Sequence, residues 1–193
     1  MGVPAVVDLE TGTVYDVVAI PSWKEVPVKA VLEEFICTSD AQIVVLGSGE
    51  WQYESFFSEL AAKYPDRVGL KLGFFADLAN KIYAGSDIFL MPSKSEPCGL
   101  SQMIALRYGS IPIVRETGGL KDSIQDSGMG EGNGFTFTNY NAHDMLHAMR
   151  RAVEGFKDAE GWSILVKRAM EGDLSWGRSA SEYIKMYKSI LGG

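Results

Sequence analysis

The sequence has little of what several common chemistries require. Only two cysteines, Cys37 and Cys98, occur in 193 residues, too few for a disulfide framework, so the fold has to rest on a packed core in a reduced setting. Histidine is equally scarce. His143 and His147 stand four apart and share one helix face, but Asp144 is the lone acidic residue between them and no cysteine joins it, which argues against a metal site; core packing and surface are the better assignments. Neither histidine adjoins a nucleophile motif. Long basic runs are absent and the formal charge is -7, which argues against nucleic acid or an anionic membrane as partner, because phosphate is gripped by clustered Lys and Arg. No apolar run reaches the length of a membrane span and none resembles a signal peptide, so a cytoplasmic location is expected. No repeat of fixed period is visible, which argues against a solenoid.

What is present is enough apolar residue, 46%, to fill one core, in an alternation of strand-like and helix-like segments. Val6-Val7 and Val14 to Ile20 flank Glu10-Thr11-Gly12 as a hairpin, whose second run is expected to enter the sheet. Pro21-Ser22 offers a break and a cap before a helix with Pro27 in its first turn and Val28, Val31, Leu32 and Phe35 at helical spacing. Then come an unbroken strand Ile43 to Leu46 closed by Gly47-Ser48-Gly49, a helix from Trp51 to Tyr64, the strand Val68 to Leu72, a helix around Leu78 to Ala84, and the strand Asp87 to Met91. A helix to Tyr108, the strand Ile111 to Val114, a short helix opened by Thr117-Gly118-Gly119-Leu120 and the strand Phe135 to Phe137 follow. The glycine-rich stretch Ser127 to Gly134 reads as a surface loop. From Asn141 the chain turns helical; Met145, Leu146, Met149 and Val153 read as a core stripe, and Trp176, Tyr183 and Tyr187 are expected to dock the last helix. The whole predicts an α/β domain, a doubly wound parallel sheet with a helical C-terminal tail.

In open parallel sheets, ligands sit beyond the carboxyl ends of the strands, where glycine turns let phosphate approach the backbone and helix N-termini offer free N–H groups. Two such turns occur in successive units, Glu96-Pro97-Cys98-Gly99-Leu100 and Thr117-Gly118-Gly119, and both should open at the same sheet edge. Ile82 to Asp87, Phe89 to Ser93, Glu96 to Leu100, Arg107-Tyr108-Gly109 and Thr117 to Leu120 stand in an order and spacing that resemble the glycogen and starch synthases, glycosyltransferases of the two-domain GT-B type. Cys98 is typical of that family, and Asp173-Leu174-Ser175-Trp176 with Ser179-Ala180 and Tyr183 extends the likeness, which runs from about Asp40 to the C-terminus. The resemblance implies a Rossmann-like donor-binding half of a retaining glucosyltransferase that passes glucose from ADP-glucose to an α-1,4-glucan, by front-face transfer, without metal or cofactor and with ADP as product. It implies Glu96 beside the donor glucose, the Cys98, Gly99 and Leu100 backbone near sugar and diphosphate, and Thr117, Gly118 and Gly119 as a second cradle. Tyr83 is placed against the adenine, or is an ordinary packing aromatic.

The first 39 residues diverge from that pattern. Counting back from Ile43 by the family's spacing puts Lys24 at a phosphate-binding lysine, Ala19 where the family carries arginine, and Glu25 where it carries glycine; Lys24 also reads as a solvated lysine at a helix start. Losing a guanidinium from a phosphate site removes charged hydrogen bonds of about 1.5 to 3 kcal/mol each. Asn80 stands where the family has histidine, and Ser95 where an aromatic precedes the glutamate. The family's N-terminal domain, which supplies the acceptor side of the cleft, has no counterpart in these residues. Two alternatives therefore stand beside the enzyme half: a catalytically incompetent nucleotide-sugar-binding module, and an excised folding unit.

Overall fold

The computed structural model describes residues 28–192 and, before them, the strands Val6–Val7 (β1) and Val14–Tyr15 (β2). These two pair antiparallel, Val6 opposite Tyr15 and Val7 opposite Val14, as the hairpin pattern requires. Its turn at Glu10-Thr11-Gly12 lies outside the described residues, as do Pro21-Ser22 and Pro27. The second run, Val14 to Ile20, is expected to enter the main sheet; among the described residues Val14–Tyr15 pairs with β1, and residues 16–20 lie outside them.

From here strands and helices alternate as α1 (Val28–Thr38), β3 (Ile43–Gly47), α2 (Trp51–Lys63), β4 (Val68–Leu72), α3 (Ala76–Gly85), β5 (Ile88–Met91), α4 (Ser101–Tyr108), β6 (Ile111–Arg115), α5 (Gly118–Ser123), β7 (Phe135–Phe137), α6 (Ala142–Phe156), α7 (Ala159–Glu171) and α8 (Trp176–Leu191). Pairing between these strands is parallel throughout: Ile43 lies opposite Val68, Ile88 opposite Ile111, and Ile113 opposite Phe135. Among the described residues the hydrogen-bonded ladders are β3-β4 and β5-β6-β7. One hydrophobic core runs through both, including Phe35, Ile43, Phe89, Ile113, Phe135 and Met149. All four residues of β5 are buried, which is why it reads as an unbroken apolar run.

Local chemistry fixes the helix ends. On α1, Val31, Leu32, Phe35 and Ile36 form the buried stripe. Past its C-terminus Arg67 donates from Nε to the Ala41 carbonyl at 2.9 Å, and its Nη2 also reaches the Ile36 carbonyl at 3.3 Å, satisfying acceptors that a helix end leaves open. The Asn141 side chain caps α6 by accepting from the Asp144 N–H at 2.8 Å. The stripe Met145, Leu146 and Met149 is buried, with Val153 packed against it, while His143 and His147 are exposed.

Two expectations need correction in part or whole. The glycine-rich stretch is a surface loop, but not a shapeless one: a 3-10 turn spans Ser127–Met129, and Asp126 bridges to Gly134. Asp126 organises it, accepting the N–H groups of Gly128 at 2.9 Å and Thr136 at 2.7 Å and the Arg151 guanidinium at 2.8 and 2.9 Å. Burial alone would raise the Asp126 pKa, but these donors, Arg151 first, outweigh it and hold the carboxyl at about 2. The second correction concerns α8. None of its residues is buried, and Trp176, Tyr183 and Tyr187 are exposed instead of docked, Trp176 at 88%. The helix is amphipathic, but its apolar face meets no core among the described residues. No described helix is long and apolar enough to cross a membrane.

Candidate functional site

The carboxyl ends of β5 and β6 lead into the two glycine turns, and the turns meet. The Gly119 N–H donates to the Glu96 carbonyl at 3.1 Å. A Cβ at Gly118 would fall 2.0 Å from the Glu96 oxygen, and one at Gly119 would fall 2.1 Å from the Cys98 oxygen, so glycine at both positions is what allows one backbone to lie on the other. The expectation that both turns open at one sheet edge is therefore met, and Glu96, Cys98, Gly99, Leu100, Thr117, Gly118 and Gly119 form one cluster. Gly99 has φ of +74, a left-handed conformation suited to glycine, and it turns the chain into α4.

That helix begins with an anion-friendly end. Its N-cap is Leu100, which has no side-chain hydrogen bond to offer the first turn. Glu96 is half-buried beside it, and its carboxylate has no hydrogen bond or ion pair with any described residue. Cys98 is exposed and Leu100 is 57% exposed, so the surface of this turn is open. The N–H groups at the start of α4 and a carboxylate unpaired among the described residues can together hold a diphosphate and orient the hydroxyls of a sugar.

The second turn offers less to an anion than expected. The Thr117 N–H is taken by the Arg115 carbonyl at 2.8 Å and the Gly119 N–H by Glu96, so these two donors are spent on fastening the loops. Of the two roles open to Tyr83, the structure takes the packing one. Its ring is 3% exposed, lies 5.3 Å from Phe89 and stacks on Tyr108 at 6.1 Å. Burial pushes its hydroxyl pKa up, against a hydrogen bond with Ser101 that lowers it. A ring so enclosed presents no face to an adenine. Lys24, Ala19 and Glu25 lie outside the described residues; Asn80 is exposed on α3.

Sequence reasoning missed the side chains that brace the cluster. Arg115, the last residue of β6, donates from Nε to the Ser93 carbonyl at 3.0 Å and from Nη2 to the Lys94 carbonyl. Its Nη1 reaches Thr138 at 3.4 Å and its guanidinium lies 5.2 Å from the Tyr140 ring centre, so it links the loops after β5 and β7. Beside it Glu116 accepts from the Thr136 hydroxyl at 2.7 Å. The available signal was positional: charged residues just past a buried strand rarely serve the core. Among the described residues, no group of three or more His, Cys, Asp or Glu is disposed to hold a metal ion.

Comparison with known proteins bears on this arrangement. The model of the family described as glycosyl transferases group 1 matches residues 28–164. The glycogen synthase of Geobacillus thermodenitrificans is 50% identical over 189 residues, 89% of this chain and 39% of its own length. That of Bacillus cereus is 57% identical over 166 residues, 85% of this chain and 35% of its own. The chain thus spans well under half the length of these curated relatives. Among solved structures, the catalytic domain of starch synthase IV from Arabidopsis thaliana, bound to ADP and acarbose, matches with a TM-score of 0.68 at 40% identity, covering 79% of this chain and 33% of its own. The sucrose-phosphate synthase of Thermosynechococcus elongatus matches with a TM-score of 0.61 at 19% identity over 86% of this chain and 42% of its own, a likeness of fold alone.

Proposed function

Since the chain belongs to the group 1 glycosyl transferases, with the parallel α/β, Rossmann-like fold of GT-B enzymes, we propose that it is the donor-binding half of a retaining glucosyltransferase passing glucose from ADP-glucose to an α-1,4-glucan. The observation that carries this is the pair of interlocked turns at the ends of β5 and β6, with the uncapped start of α4 and, on the same cluster, the Glu96 carboxylate, unpaired among the described residues. The high identity to glycogen synthases, and the likeness to a starch synthase domain bound to ADP, support the choice of sugar and base. On this reading the α4 amides and the Gly99 backbone receive the diphosphate, and Glu96 holds the glucose. The acceptor glucan and the other wall of the cleft belong to the portion of the relatives that these residues do not span. Metal is not called on in this reading.

Calorimetric titration with ADP, ADP-glucose and UDP-glucose tests it. ADP and ADP-glucose are expected to bind weakly, with UDP-glucose weaker still. Glu96→Ala should change the affinity for ADP-glucose and leave that for ADP unaltered, because the carboxylate meets only the sugar. A specific residue favours a second reading, a binding module without turnover: Ala19 stands where the resemblance calls for a phosphate-binding arginine. Ala19→Arg should then tighten ADP through a charged hydrogen bond, by roughly ten-fold or more. No heat from ADP or ADP-glucose at millimolar concentration, with or without that change, refutes the donor site.

A further inference from the structure

Gln102 lies on α4 one turn beyond Cys98 and is wholly enclosed, 0% of it reaching solvent. Burying a carboxamide costs free energy unless its polar atoms are bonded. Its Nε2 lies 3.2 Å from the Cys98 carbonyl, 2.9 Å from the Gly99 carbonyl and 3.1 Å from Ser123 Oγ. Ser123, at the end of α5, gives its own proton to the Gly119 carbonyl at 2.6 Å and so accepts from Gln102. A continuous line of hydrogen bonds therefore runs from the first glycine turn through Gln102 and Ser123 to the second. The two carbonyls fix the orientation of the amide, because the reverse would set oxygen against oxygen. Its Oε1 is then left buried with no partner among the described residues. It lies against Gly99, where a Cβ would come within 2.5 Å of it. An apolar side chain of the same length would fill this space without an orphaned acceptor. What the amide adds is the hold on the turn.

We infer that Gln102 is a positioning residue of the donor site: its buried carboxamide, through Ser123, fastens the Glu96 to Leu100 turn to α5 so that the first turn, braced by the second, meets a nucleoside diphosphate in one fixed shape. This rests on the donor reading above. Positioning by such a tie acts on affinity as well as stability, since a turn free to move has to be ordered when the ligand binds.

The test is a calorimetric titration of ADP into the full chain as wild type, Gln102→Ala, Ser123→Ala and the double variant, each with its thermal unfolding midpoint. Each single change is expected to weaken ADP about ten-fold, and the double change to be no worse than the larger single one, because both break the same line. Gln102→Glu adds a pH readout. As a buried carboxylate facing two carbonyls it repels the turn, and as the neutral acid it donates to it. Its affinity relative to wild type should therefore recover between about pH 8 and about pH 5.5. Should Gln102→Ala fail to fold, Ser123→Ala and the Gln102→Glu pH ratio decide. Folded variants that bind ADP as wild type does, effects that simply add, or a pH ratio equal to one throughout overturn the assignment alone. A wild-type chain that binds no ADP overturns the donor reading and this assignment with it.

Discussion

Gly119→Ala isolates the contact on which the candidate site is built. The new Cβ would sit 2.1 Å from the Cys98 oxygen and 2.6 Å from both the Cys98 carbonyl carbon and Cα. All three are main-chain atoms, so no side-chain rotation relieves the clash. Reaching an ordinary C···O separation of about 3.3 Å forces the turns apart by roughly 1 Å. Overpacking of this kind costs about 1–3 kcal/mol, and the stretched Gly119 to Glu96 hydrogen bond about 1 kcal/mol more. Gly119 is not among the positive-φ glycines, so alanine brings no backbone strain. It even recovers roughly 0.4–1 kcal/mol of unfolded-state entropy. The net is a loss of about 1–3.5 kcal/mol. Urea denaturation should show the midpoint falling with an unchanged slope. Gly85→Ala is the control: its Cβ meets nothing within 4 Å, so the midpoint should hold or rise. A Gly119→Ala protein as stable as wild type, beside that control, refutes the backbone-on-backbone account.

Three further outcomes are expected. Asp126 is held at about 2 against an ordinary 3.8, so its contribution is complete above the ordinary value and is lost as pH falls through the folded one. After discounting for its partial exposure this is about 1–2 kcal/mol. Urea midpoints measured from about pH 5 down to about pH 2 should fall less steeply in Asp126→Asn than in wild type, and parallel curves count against the Arg151 pairing. Arg115→Met keeps the stem but removes the donors to Ser93, Lys94 and Thr138, and should cost about 1.5–3 kcal/mol. Faster amide exchange confined to the loops after β5 and β7 should accompany it, and unchanged exchange there refutes the bracing role. On α8, Ile190→Lys at a residue 72% exposed should move the stability of this chain by no more than about 0.5 kcal/mol, and a clear loss by urea denaturation would show that its face is packed.

The core of the fold was legible because each strand of the parallel sheet is buried and writes itself as an apolar run. Ile43 to Leu46, Ile88 to Met91 and Ile111 to Val114 announce β3, β5 and β6 within a residue. The location of the site followed from topology, since the turns after β5 and β6 have to emerge at the same edge. What stayed hidden were pairings at a distance in sequence. Nothing in the Ser127 to Gly134 composition shows that Asp126 will capture Arg151, 25 residues away, and so give the stretch a fixed shape. Tyr83 could not be apportioned between core and ligand until Phe89 and Tyr108 were seen on its ring. The docking expected of Trp176, Tyr183 and Tyr187 failed for a related reason. Amphipathic spacing states that a helix has an apolar face, and says nothing about which surface covers it.

Gln102 gives the same limit a sharper form. A glutamine in a short helix reads as a surface residue, and only its position four after Cys98, on the face turned toward the first glycine turn, hints otherwise. The glycines at 118 and 119 invite a phosphate reading for the same reason that they permit loop contact, because both uses require a backbone without a Cβ. Geometry separates the two: the Gly119 N–H is spent on Glu96, and the glycines are needed because the opposing carbonyls lie where side chains would be. The two motifs are then one object, and their spacing records a contact as much as a ligand. It follows that damage to the turn after β6 should be felt at Glu96 without any substitution in the first turn. Gly118→Ala should therefore weaken ADP-glucose binding together with stability, whereas Glu96→Ala should alter sugar binding with stability intact.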